Sequence, residues 1–233
     1  MTSRRHFLAA LPALGVAAHA YAQVSPECAV FTRERQQATS PDEALRMLVE
    51  GNARFVAGDT IHCDLRAQVK ETKGGQAPFA AIVGCIDSRV PPELVFDQQL
   101  GDMFCARIAG NFVNDDIIGS LEFATKLSGA RLIVVLGHSE CGAIKGAIDG
   151  AKLGFLTAML RNFGPAIKAA RAPGEPNTKN KYYVQAVADA NAKLAAAHLT
   201  SRSEVLRGLV EQKQLRVVSA MHDIATGRVT FFS

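Results

Sequence analysis

Gly84-Cys85-Ile86-Asp87-Ser88-Arg89 and Gly137-His138-Ser139-Glu140-Cys141-Gly142 are the two stretches whose reading decides how this chain is organised. Each follows an apolar, strand-like run, residues 79–83 before the first and 132–136 before the second. Each enters a turn of small or glycine residues and is followed by helical sequence. Open α/β sheets gather their sites at the carboxyl ends of strands. Two thiols and one imidazole are therefore offered from two strand ends. Two sulfurs and one nitrogen suit a borderline-soft zinc ion, and three protein ligands leave a fourth position for water or substrate. Cys85, His138 and Cys141 are the candidate ligands. A His-x-x-Cys pair alone is a weak signal, because cysteines also act as small hydrophobes in cores. The two strand-end turns, with Asp87 and Arg89 at alternate positions beside Cys85, strengthen it.

Three motifs in this order carry a resemblance. They are Cys85-Ile86-Asp87-Ser88-Arg89-Val90-Pro91-Pro92-Glu93, then Arg107-Ile108-Ala109-Gly110-Asn111, then the stretch from Gly137 to Gly142. Together they resemble a β-class carbonic anhydrase, and the similarity runs from about residue 40 to the C-terminus. The resemblance implies one zinc per chain and the reversible hydration of carbon dioxide to bicarbonate and a proton. It gives Asp87 and Arg89 catalytic roles. Asp87, held by Arg89, accepts the hydrogen of the bound hydroxide and aims its lone pair at carbon. In some members this aspartate instead closes the fourth zinc position.

The resemblance reaches the substrate side as well. Gln76 matches the amide that donates to a bicarbonate oxygen. Phe104 and Phe123 match aromatic residues over a small apolar pocket, the second usually a tyrosine. This set, with the bidentate partner that Arg89 offers, predicts a zinc site open at neutral pH. The histidine that some relatives carry one helical turn later is Leu127 here. The proton shuttle is thus unassigned, with His222 a bare candidate and His62 and His198 read as surface residues. The N-terminal helix of the family extends over a second subunit, which implies a homodimer or a dimer of dimers. Two other functions fit the ligands: hydrolysis of carbon disulfide on the same scaffold, or non-enzymatic zinc storage. Storage needs only ligands, so Asp87, Arg89 and Gln76 argue against it.

The 233 residues, 48% hydrophobic and 21% charged, read as one globular domain with a substantial core. The net charge is +4, two units of it from Arg4 and Arg5, and no basic block has interleaved aromatics. Nucleic acid is therefore not an expected partner. Ser3-Arg4-Arg5-His6-Phe7-Leu8 resembles a twin-arginine export signal, and the apolar run over 8–18 is too short to span a bilayer. The expectation is a signal over residues 1–22, cleaved after Ala20 or Ala22, and a single domain over 23–233 in the periplasm without a membrane anchor.

With Cys85 and Cys141 assigned to metal, Cys28, Cys63 and Cys105 are left. Cys105 sits in an apolar run and reads as core. Cys28 and Cys63 are weighed as a disulfide, but a chain folded before export meets no oxidant, so the reading leans to free thiols. Residues 24–38 lack periodicity and read as an exposed arm. Ser40 is an N-cap with Pro41 behind it, opening a helix to about residue 56 with Leu45, Leu48 and Val49 on one face. Residues 70–78 read as a polar connection. Further helices are predicted over 114–126, 142–148, 155–170, 181–199 and 203–213, and strands over 103–108, 131–136, 215–220 and 228–232. Strands alternating with helices predict an α/β fold, a mainly parallel sheet flanked by helices.

Overall fold

The computed structural model describes residues 26–232; the export segment read over residues 1–22 lies outside them. Five strands form one sheet: β1 (Ala80–Gly84), β2 (Met103–Arg107), β3 (Leu132–His138), β4 (Arg216–His222) and β5 (Val229–Phe231). Their order is β2-β1-β3-β4-β5; the first four run parallel and β5 pairs antiparallel with β4. The expected mainly parallel sheet is present. β1 and β3 are buried along their whole length, as continuous apolar strands covered on both faces must be. In register, Gly84 faces both Arg107 and Leu136, and His138 faces His222. The carboxyl ends of β1 and β3 therefore open at the same rim of the sheet.

Helices cover both faces: α1 (Arg33–Ala38), α2 (Pro41–Ala57), α3 (Leu65–Thr72), α4 (Pro92–Val95), α5 (Asp115–Glu122), α6 (Gly142–Ile148), α7 (Gly154–Leu160), α8 (Gly164–Ala169), α9 (Lys181–Arg202) and α10 (Glu204–Glu211). On one face Val83, Ile133 and Val135 pack with Val184, Val187 and Leu199 of α9. On the other Ile82, Val134 and Leu136 lie with Leu48 of α2 and Phe79, Val95 and Phe96. Each such side chain contributes about 1.5–3 kcal/mol on burial.

Ser40 caps α2 as expected, its Oγ accepting from Glu43 N–H at 3.1 Å. Ala44 and Leu48 seat this helix on its own sheet, while Val49 turns outward at 46% exposure, unlike its expected place in the packed face. Other boundaries differ too. The predicted 114–126 helix becomes a π turn at Phe123–Leu127, and the 155–170 helix is broken by a 3-10 turn at Arg161–Phe163. Residues 70–72 of the expected connection belong to α3.

Two corrections concern the N-terminal region. It is docked rather than an exposed arm: Phe31 is buried against Phe79 with ring centroids 5.2 Å apart. Gln36 of α1 is buried and donates from Nε2 to Pro78 O at 2.6 Å and Ser128 O at 2.8 Å. Cys28 and Cys63 are bonded to one another, against the reading of free thiols. Docking explains the closure, because Gln68 of α3 donates to Cys28 O at 3.2 Å and the two Cα atoms stand 5.5 Å apart.

Candidate metal centre

Cys85 leaves the end of β1, where Ile108 N–H donates back to Gly84 O at 3.0 Å and keeps the chain beside β2. Its Sγ accepts from Gly110 N–H at 3.2 Å and from Asp87 N–H at 3.4 Å. Arg107, the last residue of β2, donates from Nε to Cys85 O at 2.8 Å and from Nη2 to Asp87 O at 2.6 Å. One guanidinium thus pins both carbonyls of the turn. Gly110 has φ +76°, and a Cβ there would stand 2.4 Å from Phe163. Only glycine fits this position. Its carbonyl accepts from Asn191 Nδ2 of α9 at 2.8 Å, so the donor to Cys85 is itself held from behind.

His138 ends β3 and is fully buried. Its Nδ1 lies 2.9 Å from Ser139 O, so Nδ1 carries the proton and Nε2 presents a lone pair. That Nε2 is buried without a hydrogen-bond partner. Ser139 N–H donates to His222 O at 2.9 Å, and Ile224 N–H donates to Ser139 Oγ at 3.0 Å, which ties the turn to β4. Glu140 takes a left-handed φ of 58° and returns the chain to Cys141, which occupies the N-cap position of α6 without a side-chain capping bond. The ligand atoms of Cys85, His138 and Cys141 lie within 4.8 Å of one another. The three residues read from the sequence as ligands are together, and they fit a metal site.

Electrostatics agree with that use. The Cys141 thiol and the His138 ring beside Cys85, with the Gly110 and Asp87 N–H groups, hold the Cys85 thiol well below its ordinary pKa. Sharing its proton with Cys85 and burial push the Cys141 thiol up. One thiolate is thus already favoured in this buried pair. Asp87 receives Arg89 in a two-bond fork, Nε to Oδ1 at 2.9 Å and Nη2 to Oδ2 at 2.7 Å, and its Oδ1 also accepts from Arg89 N–H at 3.0 Å. The fork holds the Asp87 carboxyl far below the usual carboxylate range. Asp87 Oδ2 stands 3.9 Å from His138 Nε2. The aspartate is therefore beside the cluster and committed to Arg89.

The expected substrate residues lie elsewhere on the chain. Phe104 and Phe123 meet edge to face at 6.2 Å and line an open groove of about 770 Å³ along the outer edge of β2. Gln76 is exposed and precedes β1, whereas Cys85 follows it, so the strand separates the two. His222 is buried, with neither ring nitrogen hydrogen-bonded, and has no surface from which to hand a proton to buffer. His62, His198 and Leu127 are exposed. Cys105 is partly buried, and burial pushes its thiol up. Sequence reasoning gave no role to Arg107, Gly110 or Asn191. The first two stand in a quoted motif; Asn191 has no local signal, being one polar residue in an alanine-rich helix.

A family model described as carbonic anhydrase matches residues 80–229. A carbonic anhydrase of Mycolicibacterium smegmatis is 36% identical over 201 residues, covering 82% of this chain and 93% of the relative. Carbonic anhydrase 2 of Mycobacterium tuberculosis is 35% identical over 82% of this chain and 92% of its own length. Among solved structures, a β-carbonic anhydrase of Aspergillus fumigatus superposes with TM-score 0.64 at 22% identity, covering 72% of this chain and 81% of its own. Tetrameric β-carbonic anhydrases of Sordaria macrospora give TM-score 0.61 at 26% identity, covering 72% and 90%.

Proposed function

This chain belongs to the β-class carbonic anhydrase family, and from that premise we propose that it hydrates carbon dioxide reversibly, with zinc held by Cys85, His138 and Cys141. The observation that carries the reading is the buried Nε2 of His138, aimed at two thiols and without a hydrogen-bond partner among the described residues. A buried polar atom without a partner is costly unless something else binds it. Two sulfurs and one imidazole nitrogen suit zinc. Bound there, zinc supplies the Lewis acidity that makes water nucleophilic near neutral pH.

The chain's own residues do the rest. Gly110 N–H and Asp87 N–H hold the Cys85 sulfur, and Ser139 O fixes the His138 tautomer. Such outer partners orient ligands and tune their basicity. Asp87 is ionised and acceptor-only, so it would accept a hydrogen bond from the nucleophile and thereby orient the lone pair that attacks carbon. The two-bond fork from Arg89 would keep Asp87 from ligating a bound metal. Two thiolates make the centre less electron-withdrawing than three imidazoles would. Gln76, Phe104 and Phe123 are supplied to the site by a second copy of the chain, docked along the open β2 edge, in a homodimer or dimer of dimers. The exposure of that edge supports this, as does the tetrameric description of the Sordaria macrospora enzymes.

Residence in the periplasm is part of the proposal. The twin-arginine-like start and the Cys28–Cys63 bond support it, since disulfides persist in oxidising compartments. Fractionation of the wild type and of Arg4→Lys/Arg5→Lys tests this: only the wild type should reach the periplasm, and equal delivery of both refutes the route. Stopped-flow carbon dioxide hydration tests the activity. The rate should rise with zinc content and level off at one ion per chain. A fully zinc-loaded protein that hydrates no faster than buffer contradicts the proposal.

A further inference from the structure

Behind the turn that holds Cys85, α9 and the α7–α8 junction enclose a second cavity, of about 300 Å³. It contains none of the candidate ligands, Asp87 or Arg89. Its α9 wall is built from Asn191, Ala195, His198 and Arg202, which recur every three or four residues and so lie on one face of the helix. Phe112, Ala166 and Ala195 in its lining are buried and apolar, whereas Arg161, His198 and Arg202 are exposed. The cavity therefore has an apolar floor and a cationic mouth.

We propose that this cavity binds a small organic carboxylate, with its apolar body on Phe112 and Ala195 and its carboxylate at Arg161 and His198. Three observations support that chemistry. Among the described residues, no acidic side chain lines the cavity. Arg202 is paired with Asp115, but the Arg161 guanidinium has no ion pair or side-chain hydrogen bond among the described residues. A planar, weakly hydrated guanidinium with a free fork suits a carboxylate. The floor selects between anions: phosphate or bicarbonate would satisfy the mouth and leave the apolar lining in contact with water, whereas an organic acid covers both. Asn191, in the cavity wall, donates to Gly110 O, and Gly110 N–H donates to the Cys85 sulfur. The cavity is thus distinct from the metal centre and shares a wall with its cradle.

Ligand-observed NMR with benzoate on the zinc-loaded protein tests this directly. Saturable binding is expected in the wild type, weakened about tenfold or more by Arg161→Gln and weakened less by Arg161→Lys, which keeps the charge and loses the fork. Because Arg161 is exposed and unpaired, neither variant should disturb the fold. Excess azide, an anion probe for the metal, should leave the benzoate signal in place. The proposal is overturned if no saturable binding occurs, if Arg161→Gln binds as well as the wild type, or if azide removes the signal entirely. Displacement by inorganic phosphate at equal concentration would also overturn it, because the mouth alone would then account for binding.

Discussion

The metal cluster and the Phe104–Phe123 edge lie on the same sheet and are built in opposite ways. At the cluster, Cys85, His138 and Cys141 are each under 5% exposed, and every group that orients them comes from the same chain. Arg107 clamps the turn, Gly110 bonds the sulfur and Asn191 holds Gly110. At the edge, β2 pairs only with β1 among the described residues, and Phe123 is half exposed. An unpaired strand edge beside an apolar groove is a template for association. Metal ligands need a dry, fixed geometry, which one chain supplies alone. An apolar lining needs only to be covered, and a second copy can do that.

The largest expected effect breaks the self-contained half. Cys141→Ser replaces a thiolate by a neutral hydroxyl, a poor zinc ligand at neutral pH. Tight zinc binding and hydration should vanish together by metal analysis and stopped flow; a variant with one zinc per chain and a normal rate removes Cys141 from the centre. Arg89→Ala is milder. It frees Asp87 to approach the metal and should lower hydration about 10–100-fold while zinc content falls much less. Equal losses of zinc and rate would make Arg89 a structural brace.

Phe123→Asp probes the other half. A charge on the groove should shift sedimentation toward the monomer, with zinc retained, because no cluster residue lies there. An unchanged assembly would place the interface elsewhere. The last effect lies outside both regions and leaves the site untouched. Burial raises the Asp102 carboxyl from 3.8 to about 6, partly opposed by Gln99 N–H. The native state then binds a proton more tightly than the unfolded chain, so stability falls as pH rises from about 4 through about 6. Asp102→Asn should abolish that slope and stabilise the protein at pH 7.5 by up to about 3 kcal/mol. A thermal or urea titration showing the same slope in both proteins contradicts this assignment.

What could be read in advance follows from how local each signal is. β1 and β3 announce themselves as apolar runs, and Ser40-Pro41 marks the start of α2 through groups three residues apart. The ligand set was legible because both turns carry their chemistry in six consecutive residues. The docked N-terminal segment was not, since Gln36 bonds carbonyls 42 and 92 residues away. The Cys28–Cys63 bond depends on that same docking. Phe123 reads as a helical apolar residue, and only the π turn that follows α5 shows it at the surface. Roles for Gln76 and Phe104 came from resemblance, and their distance from the cluster within one chain has no local signature.

The central claim is that one chain builds a complete ligand set with Asp87 held back by Arg89. X-ray absorption at the zinc edge of the wild type at pH 7 tests it most directly. The expected shell is two sulfurs at about 2.3 Å and one imidazole nitrogen, completed by one solvent oxygen. Data fitted only by a coordinated aspartate carboxylate, with no solvent, or by fewer than two sulfurs, would contradict it.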